Sequence, residues 1–273
     1  MIFVTKNTEY VTIPGHIVTY LTTGQGVFEA LLFSENQLWF WQRHAARLIK
    51  TLARFSVKMD TDALWRELTS HLKENFPGRH LRIKITIPFA FDRNKKNISL
   101  NDVVIQLEDL DTDEVISSSM RLQLHPSPFN AKNAQVSAKS INYGYNIFAT
   151  SLSIENGFGE ALFYNEDGYL IEASRANIFA VKNGNLFTPK LDLNLLPGIV
   201  RSILVEQLQA EETAIPINSL DDYDCFFLTG SVREIMPVEA ISDYIFPLGS
   251  EYLKQIEQKW QEIKHAYLKG DFI

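Results

Sequence analysis

The chain has 273 residues, enough for one large or two medium domains with cores of their own. A composition of 45% hydrophobic and 22% charged residues is that of a folded globular protein, not of a disordered or fibrous one. The formal net charge of -7, with no basic run longer than Lys95-Lys96, argues against a nucleic-acid partner, and no apolar run is long enough to cross a bilayer.

Gln25–Phe33 predicts a strand, followed by a turn at Ser34-Glu35-Asn36 and a return through Leu38-Trp39-Phe40-Trp41. QRHAARLIKTLARF predicts a helix with Ala45, Leu48, Ile49, Leu52 and Phe55 on one stripe, and a second helix covers Thr61 to Asn75, stopped by Pro77-Gly78. Arg82 to Ile87 and Asp102 to Leu107 predict strands separated by the polar loop DRNKKNISLND. Composition then shifts to Pro, Ser and Asn in HPSPFNAKNA, which places a linker at 122–130 between a smaller domain, 1–121, and a larger one, 131–273. The second half opens with a helix carrying Lys139 and Phe148 and continues through a hairpin about Glu166-Asp167-Gly168. Ile178–Val181 and Leu186–Thr188 flank Asn183-Gly184, a strong hairpin signal. After Pro197-Gly198, the residues Ile199, Val200, Ile203, Leu204 and Leu208 fall at helical spacing. DCFFLTGSVREIMPVEAI predicts strand, glycine turn and strand, and an amphipathic helix closes the chain from about Ser250 to Leu268. Strands and helices mixed in this way predict an α+β or mixed α/β fold in two layers.

The chemistry-bearing residues are few. The single cysteine, Cys225, excludes an internal disulfide framework, agrees with a reducing, cytoplasmic setting and lies in an apolar strand, where it packs. The six histidines never fall at metal-ligand spacing, and neither a nucleophile elbow nor a glycine-rich phosphate loop of known type occurs. What remains is Lys139, among Ala138, Ile141, Ile147 and Phe148. A lysine in apolar surroundings has its pKa lowered by desolvation, which suits Schiff-base chemistry, although on pattern alone a surface lysine at the start of a helix is the commoner reading, since most lysines are exposed. The helix after Gly198 presents unpaired N–H groups at its positive end, an anion seat by construction.

Five pieces occur in order: H-x-x-R-L, K-x-x-N, E-x-S-x-x-N-I-F, T-P followed by L-P-G-I-x-R, and G-S-x-x-E-I-x-P-V. Together, over nearly the whole chain, they resemble the pyridoxal-phosphate family of branched-chain aminotransferases, D-amino-acid aminotransferases and aminodeoxychorismate lyases. The resemblance implies that family's two-domain fold and pyridoxal 5'-phosphate as cofactor. It implies that Lys139 attaches the cofactor and shuttles protons at the substrate carbon. Glu172 then faces the pyridine nitrogen and keeps it protonated. The backbone of Ile199 and Val200, the guanidinium of Arg47 and the hydroxyl of Ser231 hold the phosphate, and Leu196 packs on the ring. Asn142 and Tyr143 follow Lys139 closely, with a cofactor contact or a structural role equally open.

Departures from the family pattern bear on the reaction. Val200 stands where relatives often have threonine, and Gln25 replaces a common aspartate. The arginine and histidine that grip the substrate carboxylate in D-amino-acid aminotransferases are not found. Arg93 and Lys96 in the polar loop, and Arg233, are the replacement candidates. The short chain, the lysine-to-asparagine spacing and the missing D-amino-acid trap lean toward a lyase that converts 4-amino-4-deoxychorismate to 4-aminobenzoate and pyruvate, a step of folate biosynthesis. Against this, Phe28-Glu29-Ala30 occupies a stretch where the better-known lyases carry threonines, and GVFEALL fits the alternative, an aminotransferase for branched-chain or D-amino acids. The resemblance also implies a homodimer with the active site near the interface, with which Trp39, Trp41 and Phe89 agree if exposed.

Overall fold

Strand β4 (Leu81–Pro88) shows how the first sheet is made. Ile83, Ile85 and Ile87 are fully buried and alternate with Arg82, Lys84 and Thr86, so successive side chains point to opposite faces. In the computed structural model, which describes residues 1–5, 11–90, 97–110, 119–129 and 138–270, β4 lies at the centre of a five-stranded sheet. It pairs antiparallel with β2 (Gly26–Ser34) and β5 (Val104–Asp109); β1 (Ile2–Thr5) runs parallel to β5 and β3 (Gln37–Leu38) closes the other edge. A short helix α1 (Gly15–Thr22) precedes β2. The apolar face is covered by α2 (Trp41–Ala53) and α3 (Thr61–Asn75), whose Leu48, Leu52, Leu64, Leu68 and Leu72 complete the core. The Asp60 side chain caps α3 by accepting from the Ala63 N–H at 2.8 Å.

The return strand expected over Leu38–Trp41 is shorter. β3 ends at Leu38, Phe40 takes a left-handed conformation (φ 53°), and Trp41 already opens α2. Trp39, Trp41 and Phe89 are buried, so they are core residues rather than exposed aromatics, while Ile49 of the expected stripe faces solvent.

The second sheet has nine strands. Its path runs β11 (Glu211–Thr213), β10 (Asn185–Pro189), β9 (Asn177–Lys182), β12 (Cys225–Gly230), β13 (Glu234–Ile241), β6 (Met120–Leu124), β7 (Glu160–Tyr164) and β8 (Leu170–Ala173). β14 (Tyr244–Ile245) pairs with β13 off that path. β12 is buried on both faces. Phe226 and Leu228 enter one core cluster, while Phe227 stacks on Phe179 across the strand pair on the other face. The Asn183-Gly184 turn between β9 and β10 has positive φ at both residues, the two-residue geometry that matches strand twist. α4 (Gly144–Glu155) packs on β7, α5 (Ile199–Leu208) on β12, and α6 (Glu251–Lys269) closes the chain.

The chain divides into two compact units, Met1–Val115 with Ala138–Tyr143, and Ile116–Ser137 with Gly144–Ile273. None of these breaks falls within the linker expected at 122–130, which lies inside the second unit. Residues 122–124 belong to β6, and His125 and Phe129 donate backbone hydrogen bonds to Leu162 and Tyr164, which ties that stretch to the second sheet. Lys139 groups with the first unit, not with the unit formed by most of the C-terminal half. Mixed parallel and antiparallel strands with helices make the fold α+β, as expected.

Candidate active site

Lys139 precedes α4 and is not part of it. Its segment lies along the edge of β2 instead: the Phe28 N–H donates to the Lys139 carbonyl at 2.8 Å, Ile141 donates to Gly26 at 3.1 Å, and Ser140 bridges Val27. This close approach needs Gly26, because a Cβ there would meet the Ile87 carbonyl at 2.9 Å and the Ile141 side chain at 3.1 Å. The pairing sets the Lys139 ammonium over the Phe28 ring, 4.6 Å from its centroid, and Tyr143 meets the same ring edge-on. Of the apolar neighbours expected around Lys139, Ala138 is buried, whereas Ile147 and Phe148 point to solvent from α4.

On the other face of β2 lies a buried ionic cluster. The Glu29 carboxylate, 2% exposed, accepts from Arg47 Nε at 2.9 Å and Arg47 Nη2 at 2.6 Å, and its Oε2 lies 2.8 Å from His44 Nδ1. Burial pushes the Glu29 pKa up, but the Arg47 guanidinium and His44 outweigh it and hold the carboxyl at about 2. Burial holds His44 below its ordinary value despite Glu29, so at neutral pH the ring is uncharged and donates from Nδ1 to the carboxylate. Arg47 is thus a buried, bidentate partner of Glu29 rather than a residue on a solvated helix face. Glu29 and His44 occur in the quoted sequence pieces without a role of their own; a carboxylate inside an otherwise apolar strand is the signal that marks the cluster.

The second unit carries the remaining candidates. Glu172 sits on β8 and its Oε2 accepts from Asn177 Nδ2 and from the Leu196 N–H, both at 3.1 Å. The same Asn177 amide donates to the Leu196 carbonyl at 2.9 Å. Leu196 is therefore engaged through its peptide groups, and Asn177, present in the x-x-N-I-F piece but given no role from the sequence, ties the carboxylate to the loop before α5. That loop ends at Gly198, where a Cβ would lie 1.9 Å from Asn177 Oδ1, so only glycine fits. α5 has no side-chain cap and no acidic residue in its first turn, leaving the N–H groups of buried Ile199 and Val200 at its positive end. Ser231 is half-buried in the β12–β13 turn, next to the end of β12 where Thr229 pairs with Asn177. In this unit the structure brings Glu172, Leu196 and the start of α5 together through Asn177. Arg233 is exposed in the same turn as Ser231. Arg93 and Lys96 lie outside the described residues, and among those described no His, Cys, Asp and Glu cluster could hold a metal ion.

A family model, amino-transferase class IV, matches residues 26–241. The chain belongs to the class IV aminotransferases. Over 96% of this chain and 94% of its relative, it is 24% identical to a Methanocaldococcus jannaschii protein assigned as a branched-chain-amino-acid aminotransferase. Its fold is similar to that of a Legionella pneumophila protein assigned as a 4-amino-4-deoxychorismate lyase, with a TM-score of 0.79, 20% identity and coverage of 96% and 99% of the two chains. It is also similar to the branched-chain amino acid aminotransferase of Thermobaculum terrenum in its pyridoxal-phosphate form, with a TM-score of 0.79, 19% identity and coverage of 92% and 88%. Class IV aminotransferases use pyridoxal 5'-phosphate. The residues present fit it: an amine held against an aromatic ring, a carboxylate fixed by two donors, and an uncapped helix start without acidic residues. When bound, pyridoxal phosphate withdraws electrons from the substrate carbon that bears nitrogen, so that a proton can leave it.

Proposed function

We propose that this class IV enzyme is an aminotransferase acting between an amino acid with an apolar side chain and a 2-keto acid, with Lys139 as its catalytic residue. The contact between Phe28 and the Lys139 ammonium carries the reading. In lyase chemistry the departing enolpyruvyl group must collect a proton, for which a hydroxyl near the lysine is suited. Here β2 presents an apolar ring that can pack on a substrate side chain but has no proton to give. The near-full-length relative assigned as a branched-chain aminotransferase supports the same choice, while the lyase, toward which the sequence leaned, has a likeness of fold at 20% identity beside those sequence features.

In this reading Lys139 Nζ takes the proton from the substrate carbon and returns it. Glu172, oriented by Asn177 and the Leu196 N–H, would hold a proton on the pyridine nitrogen. The Ile199 and Val200 N–H groups, the Ser231 hydroxyl and Arg47 would hold the phosphate, and Leu196 would pack on the ring. The protein works as a homodimer. Supporting this, α4 exposes Ile147, Phe148 and Ile154, at 60%, 64% and 58%, along one helix.

The test supplies aminodeoxychorismate without a keto acid and follows 4-aminobenzoate and pyruvate. In parallel, L- and D-amino acids are assayed with 2-oxoglutarate for amino transfer. Keto-acid-dependent transfer without aminobenzoate is the expected outcome; release of aminobenzoate and pyruvate alone installs the lyase. Borohydride reduction followed by peptide mapping is expected to label Lys139, and a label on any other lysine overturns the assignment.

A further inference from the structure

On the face of the first sheet opposite α2 and α3, a second lysine shares the Phe28 ring. Lys84 lies at the centre of the sheet, paired with Ala30 of β2 and Gln106 of β5. Phe28 pairs with Thr86, so Lys84 is its diagonal neighbour on the same face, and Lys84 Nζ stands 5.3 Å from the ring centroid that Lys139 Nζ approaches to 4.6 Å. Lys84 is half-buried, and no carboxylate among the described residues pairs with it. Its neighbour Arg82 adds positive charge and is itself committed to Glu108 at 2.9 Å. Burial, and then Arg82, hold the Lys84 pKa below its ordinary value, the mark of a cation whose charge is not compensated.

A half-buried ammonium on a central strand costs free energy unless an anion meets it. The ring it touches is the ring beside the reacting lysine, so an anion seated there lies next to the reacting centre. We propose that Lys84 is the cation that binds the substrate carboxylate, in place of the arginine and histidine that the sequence lacks. This rests on the aminotransferase reading and deepens it: the substrate is a carboxylic acid whose apolar part packs on Phe28 while its carboxylate meets Lys84. The contact is made in the ground state and in the transition state alike, so its loss raises KM more than it lowers kcat.

The experiment compares the holoenzyme with Lys84→Met and Lys84→Arg. Cofactor absorbance and borohydride labelling of Lys139 report on the family site, and both are expected to be unchanged in the variants. Calorimetry then measures binding of 4-methylpentanoate and of its uncharged amide, a readout that does not depend on turnover. Lys84→Met is expected to weaken the acid by about tenfold to a hundredfold, the loss of one charge-assisted hydrogen bond, and to leave the amide unchanged. Lys84→Arg is expected to restore most of the acid affinity. Equal weakening of acid and amide, or acid binding as tight in Lys84→Met as in the parent, overturns the proposal. A parent enzyme that labels no lysine at position 139 counts against the family site instead, and the acid-to-amide comparison still decides the role of Lys84.

Discussion

Glu29 has both carboxylate oxygens committed to donors in the interior of the first unit. Its pKa is about 2 when folded against an ordinary 4.5, so above pH 4.5 the ionised group contributes its full stabilisation. As pH falls from 4.5 toward 2, the unfolded chain takes up the proton first and that contribution, on the order of 3 kcal/mol, is lost. His44 acts in the same direction at higher pH: its folded pKa lies below 6.5, so the unfolded chain binds the proton preferentially and stability falls as pH drops through 6.5. Glu29→Gln leaves the Arg47 guanidinium buried without its counter-charge and is expected to cost about 3 kcal/mol at pH 7. Denaturant unfolding across pH checks both effects. The variant should show a flatter profile between pH 4.5 and 2, and a profile as steep as the parent's would remove the assignment.

At the scale of elements, the approach to α5 is set by one contact. Gly198 passes so close to Asn177 that an added methyl group displaces the amide, and the amide holds Glu172 and both peptide groups of Leu196. Gly198→Ala is therefore expected to disturb the carboxylate as well as the helix start. Titration with pyridoxal phosphate should show affinity reduced about tenfold or more, together with a shifted cofactor absorption, while the melting temperature falls by only a few degrees. Unchanged affinity and spectrum would show that the bracket does not govern the site. β2 is the corresponding element of the first unit. Its alternation gives one face to Phe28 and the other to Glu29, so one strand supports the apolar contact to Lys139 and the ionic cluster beneath α2.

For the whole molecule, the exposed stripe on α4 gives the homodimer proposal a measurable form. Phe148→Asp places a charge in that stripe, outside either core, and is expected to leave the fold intact by circular dichroism while shifting sedimentation from dimer to monomer. A parent that sediments as a monomer, or a variant that remains a dimer, removes α4 from the interface. Helix α3, the Asn183-Gly184 hairpin and the helix after Pro197-Gly198 were legible in the sequence because each rests on local chemistry: a proline-glycine stop, two left-handed turn residues, and a proline-glycine start. Local pattern did not reach Lys139, Trp39 and Trp41, or residues 122–124. The conformation of Lys139 comes from the edge of β2, more than a hundred positions earlier, Trp41 joins a core cluster with residues of α3 and β4, and 122–124 take their pairing from β7 and β13. The sequence by itself determined the α+β class, the hydrophobic faces and the ordered motifs that mark the family, because periodicity and residue chemistry are carried along the chain. Only the tertiary structure decided which groups compensate one another: Glu29 with Arg47 and His44, Glu172 with Asn177 and Leu196, and Lys84 with Phe28 but with no carboxylate among the described residues. Burial and hydrogen-bond geometry are properties of positions brought together from far apart, and no local pattern encodes them.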